Sequence, residues 1–257
     1  MRHWSWVIHL FIIIALSAPN IFGGCLAPSL KSDSKAAIID QLHILYPNQA
    51  FIEQTTRELE KFGFQVDVYR GDAASIELYR ELPEYGYELI IFRVHSGLLG
   101  VDPRVVNRTW LYTAEPYSKT RYVAEQLTDQ VTYANTQPDA PWFFAVSAKF
   151  INRSMKGQFN DTAIIMMGCD GLYYEDLAQA FIDKGASTYI AWNASVVLDY
   201  VDSSTPVLME NLCSKKLKIG VAVAQTMSEK GPDPRSGATL RYYPRQSASK
   251  TLRQLTK

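Results

Sequence analysis

Residues 88–97 read ELIIFRVHSG. The run Glu88–Val94 has the length and apolar character of a strand buried on both faces, and it leads straight into His95-Ser96-Gly97. Upstream of it, Ser75–Leu82 reads as a helix halted by Pro83, and Phe64–Tyr69 (FQVDVY) alternates as a strand does. Before that, Ala50–Phe62 (AFIEQTTRELEKF) carries apolar residues at Phe51, Ile52, Leu59 and Phe62, a helical spacing. Asn48 stands where it can cap this helix and Gly63 where it can end it. Ala36–Leu42 (AAIIDQL) reads as the first strand. The order β-α-β-α-β with short connections implies a parallel sheet with right-handed crossovers.

Downstream, the pattern is interrupted over about 101–160. Trp110–Thr113 reads as a short strand, Lys119–Gln130 as a helix and Trp142–Val146 as an apolar run, so this region has the character of an insertion between parallel strands. The βα alternation then resumes. Thr162–Met167 (TAIIMM) is a buried strand ending at Gly168-Cys169-Asp170-Gly171. A helix over Tyr174–Lys184, closed by Gly185, leads to a strand over Ser187–Trp192. Helices follow at about Asp199–Cys213 and Gly220–Lys230, then an edge strand at Ala238–Tyr243. The polar residues 244–257 read as a tail, either loose or forming a short terminal helix. The fold class expected is α/β, with one domain over 36–243.

The N-terminus is of another kind. Arg2 and His3 precede an almost wholly apolar run, Trp4–Ala18, which Pro19 and Asn20 break before IFGGC. A bilayer span needs roughly 20 apolar residues, so this shorter run reads as a signal segment over 1–25. Gly23 and Gly24 before Cys25 resemble a lipobox, in which Cys25 is lipidated and becomes the new N-terminus. Cleavage near Ala18 or Gly24 without lipid, or an uncleaved anchor to Phe22, are the alternatives. Residues 26–35 then form a tether. The location expected is outside the cytoplasm, anchored to a membrane or secreted.

Lys plus Arg and Asp plus Glu are 26 each, so no net charge argues for a nucleic-acid partner. Hydrophobic residues make up 47%, enough for a substantial core. The three cysteines, Cys25, Cys169 and Cys213, are too few for a disulfide scaffold, although Cys169 and Cys213 could pair. Sequons occur at Asn107, Asn152, Asn160 and Asn193 and are compatible with glycosylation. No His, Cys or carboxylate cluster has metal-ligand spacing, no Walker-type loop is present and GxGxxG does not follow the first strand, so neither metal nor cofactor is expected.

In an open parallel sheet, sites form at the carboxyl ends of strands. His95 ends one such strand and Cys169 another, each beside glycines that permit tight turns. A cysteine near a histidine can act as nucleophile and base, with backbone N–H groups at Gly97 and Cys169 holding a developing oxyanion. Asp170 and Glu115 are weaker candidates for substrate binding, where a carboxylate could select a basic side chain. His43 could face the same edge and is read as structural.

The blocks IIFRVHSG and AIIMMGCDG, followed by GLYYEDLAQAFIDKGASTYIAWN, resemble the caspase-like (clan CD) cysteine peptidases. The resemblance follows the order of elements over roughly 36–230, but in residues only these short blocks. It implies a three-layer α/β/α sandwich with a mostly parallel central sheet, with His95 as general base and Cys169 as nucleophile toward a peptide or protein substrate. Two positions depart from the family: Ser96 stands where glycine usually follows the histidine, and Gly168 where many relatives carry Ala, Ser or Asn. The competing expectation is a non-enzymatic caspase-like surface domain used for binding or assembly.

Overall fold

Strict alternation of side chains along each central strand divides the core between two faces of one sheet. The structure, a computed structural model, describes residues 1, 34–98, 108–137 and 139–256. Its elements are β1 (Lys35–Asp40), α1 (Gln49–Phe62), β2 (Gln65–Arg70), α2 (Ile76–Glu81), β3 (Leu89–Arg93), β4 (Ser96–Leu98), β5 (Thr109–Pro116) and α3 (Val123–Leu127). There follow β6 (Val131–Ala134), β7 (Phe143–Val146), α4 (Ala148–Arg153), β8 (Thr162–Met166), α5 (Asp176–Asp183), β9 (Ala186–Trp192), α6 (Leu198–Met209), α7 (Ile219–Lys230), β10 (Leu240–Tyr243) and α8 (Leu252–Leu255).

The central sheet has six strands in the order β10-β9-β8-β3-β1-β2. All its pairings are parallel except β9 with β10. One face presents Ala37, Ile39, Ile90, Phe92, Ile164 and Met166 to α2, α4 and α5. The other presents Ala36, Ile38, Leu89, Ile91, Ala163 and Ile165 to α1, α6, α7 and α8. This is a mixed α/β architecture with helices on both faces of a mostly parallel sheet, compatible with a three-layer α/β/α sandwich. No helix of the described residues is long and apolar enough to cross a membrane.

Local signals in the first half act as expected. Asn48 accepts a hydrogen bond from the Phe51 N–H at 3.0 Å, and Gly63 closes α1 at φ 114°. The insertion differs from its expected form. It contributes a second, antiparallel sheet in the order β4-β5-β7-β6, whose Leu111, Ala114, Val131, Phe144 and Val146 join the first face of the core. The helix expected over Lys119–Gln130 shrinks to α3, because Tyr122 and Asp129 take left-handed φ values of 52° and 56° at its two ends. The tail is also part of the domain: Leu252 and Leu255 of α8 are buried among the side chains of the second face.

A buried ion cluster ties the sheet to its helices. Arg93, at the end of β3, is 1% exposed. Its Nη1 donates to Asp40 Oδ1 at 2.6 Å, and its Nε and Nη2 donate to the two oxygens of Asp202 at 2.8 and 2.7 Å. Asp40 ends β1, Asp202 lies on α6, and the Asn48 amide that caps α1 also donates to Asp202 at 2.8 Å. Removing one partner strands a charge in the interior, at a cost of about 3–5 kcal/mol. Asp202→Ala is therefore expected to lower unfolding stability by about that much in urea denaturation; a loss under about 1 kcal/mol would show that water reaches Arg93 freely.

Candidate active site

Pairing of β3 with β8 brings the two chemically marked strand ends together. Phe92 lies opposite Met166 in parallel register, and His95 and Cys169 follow at equal distance along their chains. Both line one cavity of about 120 Å³, with Leu42, Arg93, Val94, Met167, Gly168, Val196, Leu198 and Val201. The loop after β9 supplies Val196, and the first turn of α6 supplies Leu198 and Val201.

The thiol is held by backbone. Cys169 Sγ donates to the Val196 carbonyl at 3.6 Å and accepts from the Val196 N–H at 3.4 Å. Burial raises its pKa above the ordinary thiol range, although the Val196 N–H acts in the opposite direction. Cys169 and Cys213 are both free thiols and do not pair. Cys213 is buried on the second face of the core, and burial pushes its thiol up to about 12, which suits an inert core residue.

The histidine is fixed from three sides. Its backbone N–H donates to Gln41 Oε1 at 2.9 Å, and its carbonyl accepts from the Tyr112 N–H at 3.0 Å. Its ring packs against Tyr46 and Tyr112, with centroids 6.1 and 6.0 Å away. Burial, reinforced by the positive charge of Arg93, pushes the imidazole down to about 4. Its Nε2 has no hydrogen-bond partner among the described residues, and no hydrogen bond joins it to the thiol. The pair at rest is therefore a neutral imidazole beside a neutral thiol.

Ser96 and Gly168 turn out to be coupled. Ser96 Oγ donates to the Cys169 carbonyl at 2.6 Å. A Cβ on Gly168 would meet that Oγ at 2.2 Å and the Val94 carbonyl at 2.6 Å. The hydroxyl thus occupies the space that a side chain at 168 would need, and it fixes the peptide that carries the nucleophile candidate.

The remaining candidates lie elsewhere. Gly97 is in β4 opposite Trp110 and is not among the residues lining the cavity. The Cys169 N–H, like that of Val196, lies against the Cys169 sulfur and acts against the effect of burial on the thiol. Asp170 takes φ 57° and accepts from Ser195 Oγ at 3.2 Å. Glu115 accepts from the Ile76 N–H at 3.0 Å and pairs with Arg121 at 2.5 Å, so it fastens α2 to β5. Neither acid lines the cavity. The Nδ1 of His43 sits 3.6 Å from Asp40. Asn152 and Asn160 are exposed, whereas Asn193 is half-buried and accepts from the Thr239 N–H at 2.7 Å. Cys25 and Asn107 lie outside the described residues. No group of His, Cys, Asp or Glu among the described residues could hold a metal ion.

Arg93 and its carboxylates were missed by sequence reasoning. The signal was available: a lone arginine inside the apolar run IIFRV, and an aspartate closing AAIID. No family model matches the chain, and no curated protein matches it.

The Ser96–Gly168 coupling can be measured. Overpacking a rigid site costs about 1–3 kcal/mol. Gly168→Ala is expected to destabilise by that amount in denaturant unfolding, and Ser96→Gly in the same chain to recover part of it, since the Val94 carbonyl remains close. Strict additivity of the two changes would mean that they do not share the space.

Proposed function

We propose that this chain is a caspase-like thiol hydrolase that cleaves peptide bonds by acyl transfer through Cys169 and His95. The observation that carries the reading is that thiol and imidazole line one cavity at the carboxyl ends of adjacent parallel strands. The helix-covered, mostly parallel sheet and the order of its elements are compatible with the caspase-like family. The signal segment ending at Cys25 supports a membrane-tethered, extracytoplasmic setting.

On this reading, His95 starts as a neutral base. Its imidazole takes the Sγ proton as sulfur adds to the substrate carbonyl carbon, and the oxyanion forms against the Cys169 N–H. The C–N bond then breaks, and the imidazolium gives its proton to the departing amine. Water attacks the thioester with His95 as base, and the proton returns to sulfur as the acid product leaves. Because the resting pair is uncharged, proton transfer must accompany substrate addition rather than precede it.

The test is labelling of residues 26–257 with a thiol-reactive peptide probe. Cys169→Ala is expected to abolish labelling, and His95→Ala to lower its rate by about 10²–10⁴-fold, the usual contribution of a general base. Undiminished labelling in either variant would favour the reading as a non-enzymatic binding domain.

The pH dependence follows from the two shifts. Peptide labelling should fall as pH drops through about 4, where the imidazole takes its proton. Alkylation by iodoacetamide, which needs the thiolate, should be slow at neutrality and climb only above the ordinary thiol range. Fast alkylation near pH 6 would instead indicate a preformed thiolate–imidazolium pair.

A further inference from the structure

We infer that the cavity beside Cys169 is a specificity pocket for one small, uncharged apolar side chain, carried by the residue whose carbonyl the thiol attacks. This rests on the hydrolase reading above and assigns the substrate class of the same site.

Most of the lining is aliphatic or thioether: Leu42, Val94, Met167, Val196, Leu198 and Val201. With the imidazole neutral, Arg93 carries the only formal charge among the described lining residues, and its charge is already committed. A guanidinium has five N–H donors. Four of them are used here: one on Nη1 by Asp40, that on Nε by Asp202, and the two on Nη2 by Asp202 and by the Tyr46 carbonyl at 3.0 Å. An acidic substrate side chain would have to displace carboxylates held at 2.6–2.8 Å in a buried network. A basic one would meet Arg93 with no acid lining the cavity to receive it, since Asp40, Asp170 and Glu115 all lie off the wall. Burying an unpaired charge is heavily penalised, so uncharged side chains remain.

Size narrows the choice further. A cavity of roughly 150 Å³ lined by aliphatic groups admits a benzene ring. At about 120 Å³, this cavity matches a valine or leucine side chain in size. Leu198, half-buried at the start of α6, is the wall residue whose truncation least disturbs the core.

The experiment compares peptide probes that differ only in the residue next to the reactive group: Ala, Leu, Phe, Asp or Arg. Modification is read by mass on the Cys169 peptide. The leucine probe is expected to react at least about tenfold faster than the alanine probe, as apolar pockets discriminate by methylene content, with Asp and Arg slower than Ala. Leu198→Ala is expected to move the optimum toward Phe. Equal or faster reaction with Asp or Arg overturns the inference.

A second measurement is independent of catalysis. N-acetyl-leucinamide should slow iodoacetamide modification of Cys169, whereas N-acetyl-aspartamide and N-acetyl-argininamide should not. Protection by leucinamide when every peptide probe fails would retain the pocket and overturn the hydrolase reading. Probes that all react alike, with no protection by leucinamide, would retain the hydrolase and overturn the pocket.

Discussion

Arg93 organises the site end of this molecule. A guanidinium at the end of a central strand would be intolerable in the interior if unpaired. Asp40 from β1 and Asp202 from α6 neutralise it, and Asn48 joins Asp202 to the start of α1. One charged cluster therefore fixes two strand ends and two helices at the edge of the sheet where the cavity opens. Its geometry reaches the chemistry directly, because Arg93, Val94 and His95, where the chain leaves β3, all line the same cavity. The positive charge adds to burial in keeping the imidazole unprotonated.

The neutral state of that imidazole shapes the whole functional account. A thiolate–imidazolium pair would be reactive toward any small electrophile. A buried thiol held by the Val196 backbone, with a neutral imidazole in the same cavity, is instead quiet toward small electrophiles, and on the proposed function it is engaged only when a substrate carbonyl arrives. Such restraint would suit the extracytoplasmic setting proposed above, in which exposed thiolates are the species lost first. Ser96 contributes to the same order by binding the Cys169 carbonyl and filling the space above Gly168.

Much of this architecture was legible before any coordinates. The buried runs ELIIFRV and TAIIMM are long enough and apolar enough to be read as central strands, and their ends carry His95 and Cys169. Helix caps at Asn48 and Gly63 were equally plain, because they are local chemistry. The second sheet was not legible. Its strands are short, and β4 has only the residues SGL, so pairing partners rather than pattern define them. The role of Glu115 was hidden for the same reason: an acid that caps a helix thirty-nine positions away leaves no local trace. The polar tail concealed its docking because its apolar contribution to the core is confined to Leu252 and Leu255 of α8.

The central claim is that Cys169 becomes acylated with help from His95. Its most direct test is the early time course of leaving-group release from an activated leucyl ester or thioester, followed with the intact mass of the protein. The account predicts a burst approaching one equivalent per chain, with an acyl group on Cys169 that decays as product forms, and loss of the burst in His95→Ala. Linear release with no covalent adduct, or a burst that survives in His95→Ala unchanged, would contradict it.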